Sequence, residues 1–177
     1  TGLHHWEEYP VPVHVPDWVS SAGVDYGAAC RDAVAIWNAS LAAPILRLEE
    51  DPAAARITFA YDLDDGINYG LTTVDQPGDG AYTIGDVTPE HVTLAIVPSM
   101  ASAQPVTETA MHELGHALGL HGHARCIKIP YLMNVTARGT LDNGPENAIH
   151  PDERRAVEVI RALPPRWDMS VYPLEVP

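Results

Sequence analysis

Residues 112–123 read His112-Glu113-Leu114-Gly115-His116-Ala117-Leu118-Gly119-Leu120-His121-Gly122-His123. The first five have the form H-E-x-x-H. On a helix, residues four apart sit about 40° apart around the axis and roughly 6 Å along it, so both imidazoles can reach one metal ion. Glu113, beside the first histidine, can lean over the same ion and take a proton from a metal-bound water. The competing reading is a surface helix that carries two histidines by chance. The surroundings favour the metal. Positions 106–120 predict a helix, with Ala110, Leu114, Ala117 and Leu118 at helical spacing and Thr107 placed to cap it. Gly119 then offers a place to stop the helix, and His121 and His123 follow at once.

Extended through Gly119, the motif resembles the metzincin signature H-E-x-x-H-x-x-G-x-x-H followed by a Met-turn. The chain departs from that pattern at its last position, where the third ligand belongs and Gly122 stands. His121 falls one residue early and His123 one residue late. The run 119–123 is similar to the G-x-x-G-H variant of bacterial matrixin-like proteases, which have one extra residue before a Gly-His pair. This resemblance implies His112, His116 and His123 as metal ligands and His121 as a bystander lining the site; His121 as third ligand is the alternative. A chain reversed by a glycine needs a few residues to swing back, which favours the later histidine. Met133, within Pro130-Tyr131-Leu132-Met133-Asn134, resembles the methionine of the Met-turn, a packing residue beneath the metal.

Outside the motif the chain follows a consistent plan. Its 177 residues predict one domain. Positions 9–15 alternate like a strand, although Pro10 and Pro12 restrict it to a sheet edge or a strand start. A helix is expected over 25–40, where Cys30, Ala33, Val34, Trp37 and then Leu41 recur at helical spacing. Short strands are expected over 45–49 and 56–61, followed by a long Gly-, Asp- and Thr-rich loop over 62–90 with short strands inside it. Positions 91–98 form the clearest strand. Pro151 opens a helix over 152–163 with Val157, Ile160 and Leu163 inward.

That element order is similar to the matrixin catalytic domain. The resemblance implies an α+β fold with a twisted mixed sheet of about five strands and three helices. It places the active-site cleft between a larger N-terminal subdomain, about 9–120, and a smaller C-terminal one, about 121–165, with a tail over 166–177. It also implies a zinc-dependent endopeptidase that hydrolyses peptide bonds through a metal-bound water, with Glu113 as general base. The substrate would lie extended along an edge strand, for which 91–98 and 81–87 are the candidates. The segment 135–149 would wall the pocket for the residue after the cut. Two other classes share the motif: a catalytically inactive zinc-binding interaction domain, and a zinc hydrolase acting on a small amide.

Charge and composition bound the partners. A formal net charge of -14 argues against nucleic acid and anionic membranes, which call for basic patches. No run of 18 or more apolar residues is present, so no transmembrane helix is expected. The resemblance implies a secreted protein, its signal and any propeptide absent from this chain, and a monomer. Catalytic Zn²⁺ is the implied cofactor. Asp62, Asp64, Asp65, Asp75, Asp79 and Asp86 stand among glycines, where carboxylates on turns suit a structural Ca²⁺; a solvated acidic loop is the other reading. Cys30 is read as a buried thiol on the first helix. A Cys30–Cys126 disulfide is the alternative in an oxidising compartment. His4, His5, His14 and His150 are read as surface or capping residues.

Overall fold

The computed structural model describes residues 5–64, 66–75, 90–120, 123, 129, 131–134, 141, 144 and 148–163. Along the chain these form β1 (Val11–His14), α1 (Tyr26–Ser40), β2 (Leu46–Leu48), β3 (Ile57–Ala60), β4 (Gly70–Asp75), β5 (His91–Ile96), α2 (Ala103–Ala117) and α3 (Pro151–Ala162). The protein is α+β, with one five-stranded mixed sheet and three helices among the described residues. The strand order is β2-β1-β3-β5-β4; the first four strands run parallel and β4 runs antiparallel to β5.

Period-two burial decides which face of the sheet is inside. Val11 and Val13, Ile57 and Phe59, and Val92, Leu94 and Ile96 are buried, while the residues between them are half-buried. This apolar set joins one core with Cys30, Ala33, Val34 and Trp37 of α1 and Val106, Ala110, Met111 and Leu114 of α2. Asp25 caps α1 by accepting from the Ala28 backbone N–H at 2.8 Å. The Trp37 indole N–H donates to the Met111 carbonyl at 2.9 Å, which fixes α1 against the helix that carries the histidines. At the far end of α2, the Trp6 indole N–H donates to the Ala117 carbonyl at 2.8 Å.

Of the two places that the prolines left for β1, the strand start holds: Pro10 stands just before β1 and Pro12 is its second residue, while the strand itself lies inside the sheet, with β2 on one side and β3 on the other. Proline is tolerated there because the Pro12 carbonyl accepts from Arg56, the residue just ahead of β3. The N–H that Pro12 lacks would therefore face the turn before β3, where no ladder runs. Next, α2 begins at Ala103 with Ser102 as its N-cap, and Thr107 lies within the helix, its hydroxyl donating to the Ala103 carbonyl. Pro105 explains the early start, since the first turn is where a helix accepts proline. Finally, the candidate substrate edge over 91–98 is wrong. β5 lies between β3 and β4, and the edge strands among the described residues are β2 and, beside β5, β4. The other candidate, 81–87, lies outside those residues.

β4 is one of the short strands expected within 62–90, and its bounds stayed unread for a physical reason. None of its six residues is buried; they alternate only between half-buried and exposed, so no apolar alternation marks them. Among the described residues, no helix is long and apolar enough to cross a membrane.

Candidate metal centre

α2 ends in a Schellman motif. Gly119 has φ +99°, its N–H donates to the His116 carbonyl, and the Leu120 N–H donates to the Gly115 carbonyl at 2.9 Å. That pattern needs a left-handed residue at Gly119, a conformation that a β-carbon disfavours. The reversal has a chemical consequence. It brings the Leu120 carbonyl 2.8 Å from Nδ1 of His116, which must donate there, so the ring turns Nε2 away as a lone-pair donor. His112 is held in the same sense: its Nδ1 lies 2.8 Å from the Leu132 carbonyl, in the segment that contains Met133. Such second-nitrogen bonds fix the tautomer and aim of a ligating imidazole.

His123 completes the group. Its Nε2 lies 3.1 Å from Nε2 of His112, and its ring centroid is 5.1 Å from that of His112 and 5.2 Å from that of His116. One ring nitrogen from each of the three lies within 4.8 Å of the others. His112 is buried, His116 half-buried and His123 exposed, so the cluster opens to solvent on the His123 side. Burial and the neighbouring imidazoles push the His112 pKa down to about 4, and burial lowers that of His116. Both rings are therefore neutral near pH 7, the state in which imidazole binds metal. Neutral rings with aimed Nε2 atoms fit a borderline-soft divalent ion such as zinc. His121 lies outside the described residues.

Met133 packs directly beneath this helix. A β-carbon built on Gly115 would meet the Met133 sulfur at 2.5 Å and Trp37 at 3.5 Å, so the glycine makes room for the methionine between the turns of His112 and His116. The turn itself is clamped from α3. Glu153, only 7 % exposed, accepts from the backbone N–H groups of Leu132 at 3.1 Å, Met133 at 2.8 Å and His150 at 3.0 Å. The last bond is half of a capping box in which the His150 side chain accepts from the Asp152 N–H. One buried carboxylate thus joins the start of α3 to the carbonyl that orients His112.

Glu113 is buried and lies against β4. The Thr72 hydroxyl donates to Glu113 Oε2 at 2.5 Å. Burial pushes the Glu113 carboxyl up to about 7, and the Thr72 hydrogen bond pulls the other way. Thr72, Gly70, Glu153 and the Leu132 carbonyl were not singled out by the sequence. Glu153 carried a faint signal as a glutamate three residues after a helix cap, behind Pro151. Thr72 carried none.

The remaining candidates fall elsewhere. Among the described residues, His112, His116 and His123 form the only group of His, Cys, Asp or Glu side chains close enough to hold a metal. Asp62, Asp64 and Asp75 are exposed; Asp65, Asp79, Asp86 and Cys126 lie outside the described residues. Cys30 is a free, buried thiol. His5 is half-buried rather than a surface residue, edge-on to Tyr9 at 6.3 Å between centroids. Comparison of the sequence with protein-family models and with curated proteins finds no match.

Proposed function

We propose that the protein is a zinc-dependent endopeptidase of metzincin type. One observation carries the reading: three imidazoles converge, two of them aimed by backbone carbonyls, on the helix that also presents Glu113. Nε2 of His112, His116 and His123 would hold the ion, with His123 taking the place that the metzincin pattern gives to its third histidine. A bound Zn²⁺ supplies Lewis acidity toward water and toward a carbonyl oxygen. Three protein donors are the usual complement of a catalytic site, whereas structural zinc takes four.

The chain's own groups account for the rest. Glu113 accepts the proton of the attacking water at a carboxylate oxygen and delivers it to the amine nitrogen as the peptide C–N bond breaks and the new C–O bond forms. Met133 and the Glu153 clamp keep His112 from turning. Of the two edge strands among the described residues, β4 is the one beside Glu113 and the one proposed to take an extended substrate. The Val97 N–H donates to the Tyr69 carbonyl, and Leu71, Thr73 and Asp75 stand opposite Ala95, Thr93 and His91. The odd-numbered residues therefore turn their backbone groups toward β5, and Gly70, Thr72 and Val74 turn theirs outward. A peptide added there would pair through its main chain, with its scissile bond carried toward the histidines. The cleft would lie between the sheet with α1 and α2 on one side and the segment leading to α3 on the other.

Casein and a peptide library test this reading. The zinc-loaded protein should cleave them, a chelator should abolish cleavage, and added zinc should restore it. Glu113→Gln should keep its zinc and lose turnover by about 100-fold or more. Near wild-type turnover in that variant would sink the assignment. Stoichiometric zinc with no cleavage of peptides would favour an interaction domain, and cleavage confined to small amides would favour the other hydrolase class.

A further inference from the structure

Glu113 is held from the neighbouring edge strand, β4. Thr72 Oγ1 lies 2.5 Å from Glu113 Oε2 and 3.2 Å from the Glu113 carbonyl oxygen. Two residues earlier on the same face of β4, a β-carbon on Gly70 would come within 2.6 Å of Glu113 Oε1 and 2.7 Å of its Cγ. One carboxylate oxygen is thus tied to a hydroxyl, and the other fills the space of a missing side chain. Gly70 and Thr72 are also residues whose backbone groups point outward, along an edge with no strand partner among the described residues. The strand that holds the carboxylate is the strand an added peptide would pair with.

We propose that Thr72 is the positioning residue of Glu113, and that an extended peptide seated on the outer edge of β4 steadies the carboxylate through it. The second half rests on the peptidase reading above; the first half does not. An edge strand is braced on one side only, and among the described residues the one strand paired with β4 is β5. A second strand hydrogen-bonded to Gly70 and Thr72 braces the other side. Thr72 Oγ1, and the carboxylate with it, then loses freedom at the moment the scissile bond arrives. A base displaced by about 1 Å can cost on the order of 100-fold in rate, so such bracing would be felt in kcat.

Two substitutions test this. Thr72→Val keeps the shape and removes the hydroxyl, and Thr72→Ser keeps the hydroxyl. With zinc-loaded protein, Thr72→Val should lower kcat about 10- to 100-fold and leave KM within about twofold. Its zinc affinity, read by competition with a chromophoric chelator, should match wild type. Thr72→Ser should recover most of the lost kcat. Wild-type kcat should rise as the peptide is lengthened along β4, and in Thr72→Val that rise should vanish. A readout independent of catalysis is the carboxylate carbon NMR resonance of Glu113 in metal-free protein, identified by its disappearance in Glu113→Gln. It should move in Thr72→Val and return in Thr72→Ser. If zinc-loaded wild type cleaves nothing, the peptidase reading fails and this resonance alone decides the role of Thr72. Wild-type kcat in Thr72→Val overturns the proposal. So does an unmoved resonance, or a Thr72→Ser protein that behaves like Thr72→Val.

Discussion

His112 and His116 are each anchored at Nδ1 by a backbone carbonyl, and those carbonyls belong to the two segments that follow the helix, not to the helix itself. The spacing of the pair was legible in the sequence because four residues on a helix bring two side chains to one face. Their aim was not legible, because it depends on Leu120 and Leu132 arriving from loops. The same limit hid Thr72, 41 residues from its partner Glu113, and Glu153, 20 residues from Met133. Contacts at that range leave no local pattern. Cys30 is a different case, since its place on the apolar face of α1 announced its burial. Burial pushes its thiol up to about 12, and the thiolate is the reactive species. At pH 8 only about one thiol in ten thousand would be ionised. Iodoacetamide should therefore leave Cys30 unmodified in the native protein and label it once the chain is unfolded, as peptide mapping by mass spectrometry would show. Prompt native labelling would mean that the thiol is not buried as described.

Elements carry the next set of consequences, because the helix that carries His112 and His116 is fixed by what packs on it. Gly115 is the contact point with Met133. Gly115→Ala should destabilise the fold by about 1–3 kcal/mol, since the added carbon overfills a packed site. In a Met133→Ala background the same change should turn neutral or stabilise by up to about 1 kcal/mol, because alanine is the better helix former. Denaturant melts of the four proteins would measure the coupling, and simple additivity would contradict the packing account. Glu153 acts between elements. Glu153→Ala leaves three backbone N–H groups without their carboxylate, so a loss of about 2–4 kcal/mol in unfolding free energy is expected. Zinc affinity should also fall, about 10- to 100-fold, because the Leu132 carbonyl loses its anchor. Unchanged zinc affinity would detach the clamp from the metal site. At this scale the sequence showed α1, α3 and β5 well, since each buries a clear apolar face. It missed β4 as the edge because an edge strand with two half-solvated faces has little apolar pattern to show.

The whole molecule brings together three imidazoles that could hold a metal where three pieces of chain meet: α2, His123 beyond it, and the segment held by α3. A ligand that binds only this folded arrangement must stabilise it. Free zinc at about 100 times its dissociation constant should add about 2.7 kcal/mol. For a chain of this length that corresponds to a rise in Tm of about 5–10 °C, reversed by a chelator. The net charge of -14 acts at this scale as well, since it would draw cationic peptides toward the protein at low salt. Raising the ionic strength should then slow cleavage of a basic peptide more than that of a neutral one. The architecture was legible in outline from the order of elements, whereas the closing of the site was open between two histidines two residues apart.

That closing is the centre of the account, and zinc stoichiometry tests it most directly. Wild type, His121→Ala and His123→Ala would be loaded with zinc, dialysed against a weak chelator and assayed for bound metal by mass spectrometry. The account predicts one zinc per chain in wild type and in His121→Ala, and loss of the ion from His123→Ala. A His123→Ala protein that keeps its full zinc, or a wild type that holds none, would contradict it.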